Sequence, residues 1–166
     1  MKGNELLQAG ESGASVQCQA KWQPRILVVD DDSDLRQLYA DALARPGYHI
    51  DAVEDGAAGW EALQVNNYNL LITEHSLPRL TGVELVKKLR AARMAMPVVL
   101  AAGRLPTEEL ARNPSLQLAA VLPKPFYISE LLETVKAILR AADSACGQVA
   151  PPPNWPSQPS AGGLRL

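Results

Sequence analysis

A three-layer, doubly wound α/β sandwich is the fold class that the sequence predicts, and three observations carry it. Five short apolar runs alternate along the chain with segments of helical periodicity. The runs lack the polar alternation of a one-sided strand, so they read as strands covered on both faces, as in a parallel sheet. Each run is followed by a helical pattern, the β-α repeat from which such sandwiches are built.

The elements follow in order. The first strand is Ile26–Val29. Ser33 suits the N-cap of the next helix, whose apolar face is Leu35, Leu38, Tyr39, Ala42 and Leu43 and which Pro46-Gly47 stops. A weaker strand covers Tyr48–Val53, with a helix over Ala57–Leu63. The third strand, Leu70–Ile72, precedes a helix over Val83–Leu89. After the fourth, Val98–Ala101, a short helix starts at Pro106, a favourable first helical residue, and is limited by Pro114. The fifth strand, Ala119–Leu122, leads into the clearest helix. Ile128, Leu131, Leu132, Val135, Ile138, Leu139 and Ala142 form one stripe, and Glu130, Glu133, Lys136 and Arg140 occupy the rest.

The chain has 166 residues, enough for one domain, and 47% are hydrophobic, which supports an ordinary core. Sixteen basic against 18 acidic side chains leave no long-range field to attract nucleic acid or an anionic membrane, so neither is an expected partner. No apolar run approaches the ~20 residues of a membrane span, and the first residues lack the pattern of a secretory signal. The expected compartment is the cytoplasm. Pro151, Pro152, Pro153, Pro156 and Pro159 crowd the C-terminal end. The reading is a disordered tail over residues 1–23, a folded unit over 24–142, and a Pro/Gly-rich disordered tail over 143–166. Cys18 and Cys146 then fall in tails, as free thiols. The C-terminal tail is too short for a second folded domain, so a stand-alone module is expected.

In a doubly wound sheet, ligands sit beyond the carboxyl ends of the strands. Asp30-Asp31-Asp32 follow the first strand, Thr73-Glu74-His75-Ser76 the third, Ala102-Gly103 the fourth and Lys124-Pro125-Phe126 the fifth. Three adjacent acids repel one another unless something positive sits among them. Convergence of these ends makes an acidic cleft suited to a hard divalent cation such as Mg²⁺, with the lysine offsetting the remaining charge. No Gly-rich phosphate loop follows any strand, which argues against a nucleotide site.

Ile26-Leu27-Val28-Val29-Asp30-Asp31-Asp32, the Pro78…Gly82 turn, Lys124-Pro125-Phe126 and Asp55-Gly56 ahead of Glu61-Ala62-Leu63 together resemble the receiver domain of two-component response regulators. The resemblance covers about residues 25–142 and implies a flavodoxin-like sheet of order 2-1-3-4-5. It also implies that Asp30, Asp31 and the backbone carbonyl of Ser76 hold Mg²⁺, that Lys124 contacts a phosphoryl group, and that Lys124-Pro125 is cis. Partner contacts, with a histidine kinase, another regulator or a downstream target, would use the face of the fourth helix, fifth strand and fifth helix. A homodimer through the last helix is a further expectation, although packing on its own sheet explains the same stripe.

Three positions depart from the family. The phosphoacceptor position is Glu74, one methylene longer than Asp, which with C–C bonds of ~1.5 Å displaces the carboxylate by more than ~1 Å. A misplacement of about 1 Å costs roughly a hundredfold in a positioned reaction. Ala102 stands where the family has Thr or Ser, removing a hydroxyl from the switch, and Val121 replaces a switching aromatic. The expectation is a non-enzymatic, phosphorylation-independent signalling module with weak or no Mg²⁺ binding. The alternative is an acyl phosphate on Glu74 formed with a histidine kinase. His75, Arg79 and Arg104 read as exposed loop residues, and Trp60 as a packing residue.

Overall fold

The computed structural model describes residues 23–146. Residues 1–22 with Cys18, and 147–166, lie outside the described residues, and with them most of both expected tails. The elements are β1 (Arg25–Val29), α1 (Ser33–Ala44), β2 (His49–Val53), α2 (Gly56–Val65), β3 (Leu70–Glu74), α3 (Gly82–Ala91), β4 (Val98–Ala102), α4 (Thr107–Arg112), a 3₁₀ turn at Pro114–Leu116, β5 (Ala120–Pro123) and α5 (Ile128–Cys146). All strand pairs are parallel and the order is β2-β1-β3-β4-β5. This is the expected architecture and order.

Side chains that alternate along each strand explain why the runs are apolar throughout. Ile26 and Val28 point with Leu70, Ile72 and Val99 into a layer closed by Tyr39 and Leu43 of α1 and Leu131, Val135 and Leu139 of α5. Leu27 and Val29 point the other way with Leu71 and Leu100, onto Leu63 of α2 and Val83, Leu85, Val86 and Leu89 of α3. Full burial of one such side chain contributes about 1.5–3 kcal/mol, so both faces need cover. Trp60 is half-buried against the second layer, as expected for a packing residue, with the Lys88 ammonium 5.5 Å from its ring centre.

Several boundaries differ from the sequence reading. The N-cap of α1 is Asp32 rather than Ser33: its carboxylate accepts from the backbone N–H groups of Asp34 and Leu35 at 2.9 and 3.1 Å. A carboxylate at a helix N-terminus also gains from the helix dipole, which a hydroxyl does not. Leu38, expected on the buried face, is 47% exposed, and Tyr39, Ala42 and Leu43 alone define the buried stripe. Pro106 is the N-cap of α4 and not its first residue. The last helix continues through Cys146, so Cys146 ends α5 instead of lying in a tail that starts at 143.

The turn between β3 and α3 is tied down from both sides. Thr81 caps α3 and forms a reciprocal box with Glu84, a Thr-x-x-Glu signature legible in the sequence. Gly82 lies where any Cβ would collide with the backbone carbonyl of Glu74. Backbone cannot swing aside as a flexible side chain does, so Gly82→Ala is expected to lower unfolding free energy by about 1–3 kcal/mol, the cost of overpacking. Urea denaturation measures it, and an unchanged midpoint would contradict the close approach.

At the opposite end of the sheet, Arg25 bonds Asp51 through Nε at 2.8 Å, and the Tyr68 hydroxyl donates to the same carboxylate at 2.8 Å. Burial, then the Asp51 contact, pushes the Tyr68 phenol up to about 12. A folded-state pKa above the unfolded value of ~10 means that the folded protein holds the proton more tightly. That contribution to stability is complete below pH ~10 and is lost as pH rises towards 12. Tyr68→Phe is expected to flatten this part of the alkaline stability profile, measured as the urea midpoint between pH 9 and 11.5, about the window of the shift.

Candidate functional site

Every strand that contributes to the site ends at the same rim. The three consecutive acids after β1 diverge there, which resolves their mutual repulsion. Asp30 is buried and turns inward, Asp31 is exposed at the cleft, and Asp32 is spent on the α1 cap. Parallel register places Glu74 as the last residue of β3 beside Ala101 of β4, not beyond the strand as the apolar run suggested. Ala102 likewise ends β4, is fully buried, and its carbonyl accepts from the Lys124 N–H at 2.9 Å. Lys124 follows β5 directly, and its bond to Pro125 is cis.

The centre of the site is one ammonium against two carboxylates. Lys124 Nζ lies 3.0 Å from Asp30 Oδ2 and in direct ion-pair contact with Glu74 Oε2. The remaining oxygens are engaged too: Asp30 Oδ1 accepts from the Asp32 N–H at 3.0 Å, and Glu74 Oε1 from the Ser76 N–H at 3.3 Å. The Asp30 and Glu74 side chains are only 2% and 6% exposed, so the pairing replaces their lost hydration. Burial pushes the Asp30 carboxyl above its ordinary value, and the bonds from Lys124 and the Asp32 N–H offset only part of that. For Lys124 the balance is reversed. Burial works to lower its pKa, but hydrogen bonding and Coulomb attraction from Glu74 and Asp30 together outweigh burial and raise it.

The remaining expected residues are placed as follows. Ser76 and Arg104 line the cleft with Asp31, Asp32 and Gly103, and both are exposed. Val121 is half-buried in the layer shared with α2 and α3. His75 is half-buried, with its Nδ1 enclosed, and does not line the cleft. Arg79, read as a solvated loop residue, has a 72% exposed side chain but reaches the buried Asp55 carboxylate at 3.4 Å. Asp55 thus serves twice, capping α2 through Oδ1 and anchoring the β3–α3 turn through Oδ2. Sequence reasoning missed Arg36, whose Nη1 donates to the Asp30 carbonyl at 2.6 Å. Its one sequence signal is a place in the first turns of α1, within a long side chain's reach of β1.

The arrangement does not present a three-carboxylate set to a Mg²⁺ ion. Asp30 and Glu74 direct their oxygens to Lys124 and to backbone N–H groups, Asp32 Oδ1 caps α1, and Asp31 lies exposed beside them at the cleft. Among the described residues, no three His, Cys, Asp or Glu side chains converge on a point that suits a metal.

A five-stranded parallel sandwich whose rim gathers an acidic pair, an acid at the end of β3 and a lysine after β5 defines a signal-receiver module. The chain belongs to the response regulator receiver domain family, whose model matches residues 26–136. It is 31% identical over 121 residues to the response regulator receiver protein CpdR of Brucella abortus, covering 71% of this chain and 98% of CpdR. The response regulator MprA of Mycobacterium sp. strain KMS is 30% identical over 127 residues, and the match covers 76% of this chain but 55% of MprA. Among solved structures, the receiver domain of Francisella response regulator 1452 aligns with a TM-score of 0.67 at 27% identity, over 72% of this chain and 99% of that one. A CheY-like receiver protein from Methanospirillum hungatei gives a TM-score of 0.71 at 25% identity, over 75% and 99%.

Proposed function

We propose that this chain is a receiver module of two-component signalling that acts through protein–protein contacts and does not use phosphorylation as its switch. The observation that carries the reading is the buried ion pair between Glu74 and Lys124. The residue at the phosphoacceptor position is already committed to the lysine that would otherwise meet a phosphoryl group. Glu74 supplies one negative charge where a phosphoryl supplies roughly two, so the pairing resembles a fixed, partial version of the modified state. Ala102 has no hydroxyl to draw inward, and Val121 no ring to swing. The module therefore offers partners one standing conformation.

The partner surface proposed is the face of α4, β5 and α5, and the partners are a histidine kinase, another regulator or a downstream target in the cytoplasm. No helix among the described residues is long and apolar enough to cross a membrane. Incubation with a small acyl-phosphate donor and Mg²⁺, followed by intact mass measurement, tests the reading. No phosphoryl mass increment is expected. A stable adduct mapping to Glu74 would instead establish a receiver still phosphorylated as an acyl phosphate.

A further inference from the structure

Residues 76–81 form a strap between β3 and α3, and its backbone is held under strain. Both ends meet at the His75 carbonyl, which accepts from the Leu77 and Gly82 N–H groups at 3.1 and 2.9 Å. Within the strap the Leu80 N–H donates to the Pro78 carbonyl at 2.7 Å, the three-residue bond of a γ-turn, and Arg79 at its centre has φ +66°. A γ-turn with positive φ is rare and strained, and an L residue there carries a cost that glycine does not. The strap is packed on both sides. Leu77 is buried in the layer shared with α2 and α3, and the Leu80 carbonyl lies so close to Gly56 that a Cβ there would collide with it. At the end nearest the site, the Ser76 N–H donates to Glu74 Oε1 at 3.3 Å.

We propose that the ion pair between Arg79 and Asp55 is a latch that holds this strained strap shut, and that its release withdraws the Ser76 N–H from Glu74. The asymmetry of the pair suits a latch. Asp55 is buried and fixed in the fold, with Oδ1 accepting from the Ala58 N–H at 2.8 Å as the cap of α2. Arg79 Nη1 lies 3.4 Å from Asp55 Oδ2, and the rest of the arginine side chain is mostly in water. The guanidinium can therefore leave without losing hydration, whereas its departure strands a buried negative charge. That charge opposes release, and the left-handed backbone at Arg79 favours it. The two effects are similar in size, so the strap sits near balance and a small loss at the latch opens it. Opening leaves the Glu74 carboxylate held by Lys124 without its backbone donor. Arg79 is thus a positioning residue for Glu74, linked to it through the N-terminus of α2. The device does not depend on whether Glu74 accepts a phosphoryl group.

Amide exchange at Ser76, Leu77 and Leu80, followed by NMR on the full ¹⁵N-labelled chain, reads the strap. Arg79→Ala removes the latch and keeps the strain. Exchange should become about tenfold faster than in the parent, between the effects of losing an exposed and a buried pair. Arg79→Gly removes latch and strain together. Its exchange should be about tenfold slower than that of Arg79→Ala, the relief of one left-handed residue, and so return close to the parent's. Asp55→Asn keeps an oxygen to cap α2 while removing the charge. In that background Arg79→Ala should change exchange by less than about twofold, because two losses from one pair do not add. An equal effect of Arg79→Ala in both backgrounds would mean that no latch exists and would overturn the proposal. Exchange as fast in Arg79→Gly as in Arg79→Ala would remove the strain and overturn it as well. Acceleration at Leu80 with none at Ser76 would confine release to the turn and overturn the link to Glu74. The Arg79 variants alter a mostly exposed side chain, so they test the proposal even where Asp55→Asn fails to fold.

Discussion

Lys124→Met is expected to destabilise the protein by about 3–5 kcal/mol, the usual effect of removing one partner from a buried ion pair. Two carboxylates that are 2% and 6% exposed would then face each other without a cation. Methionine preserves much of the lysine stem's packing, so the loss reports on charge rather than on a cavity. The effect carries a pH signature. Burial raises the Asp30 pKa, so the folded state takes up a proton there more readily than the unfolded chain does. Asp30 alone therefore favours folding below its ordinary pKa, and that contribution is lost as pH rises through the raised value. The deficit of the variant should be largest near neutrality and shrink on acidification. Lys124 itself contributes in full below its ordinary pKa of ~10.4, and its share is lost as pH rises through its raised folded value. Urea midpoints of both proteins, followed from about pH 8 down to the ordinary aspartate pKa of ~3.9, measure the difference. A deficit below about 1 kcal/mol, the value of an exposed pair, would mean that the cluster is not holding the rim together.

Restoring the family's residues at the rim should restore its chemistry. Glu74→Asp withdraws the carboxylate by more than ~1 Å, which frees Lys124 and returns the acid to the acceptor position. Ala102→Thr returns a hydroxyl whose bond to a charged oxygen contributes ~1.5–3 kcal/mol. Because Ala102 is fully buried, the added atoms need room. The single Glu74→Asp variant is therefore measured beside the double variant, each checked by circular dichroism. With a small phosphodonor and Mg²⁺, labelling should rise by roughly a hundredfold over the parent, the effect of correcting a misplacement of about 1 Å. If labelling stays absent in both folded variants, the rim has lost acceptor chemistry for a reason other than the length of residue 74. If the parent labels as well as the variants, the long acid is no obstacle.

The fold was legible because each β-α unit announces itself locally. Val98-Val99-Leu100-Ala101 is apolar throughout, and only a strand covered on both faces requires that. The α5 stripe likewise demands one covered side. Boundaries were less legible, since they are decided by the cap that wins. Asp32 takes the α1 cap from Ser33, and the backbone hydrogen bonds of the α5 ladder run past the last apolar position to Cys146. Leu38 shows the same limit: a residue on the helical face by spacing still lies outside the strip that the sheet covers.

For the site, the sequence by itself determined which side chains reach the rim, because parallel strands all present their carboxyl ends to one edge. It also determined that the residue at the end of β3 is Glu74, one methylene longer than Asp, and that Ala102 at the end of β4 lacks a hydroxyl. Only the tertiary structure decided how the charges divide. Neighbouring acids in the chain read alike, yet one turns inward to Lys124, one faces water and one caps a helix. That division depends on the dielectric around each carboxylate and on which donors lie within about 3 Å. The cap on Asp32 is local, with donors two and three residues on, but the burial of Asp30 and its lysine partner are set by elements distant in sequence, so no local pattern encodes them.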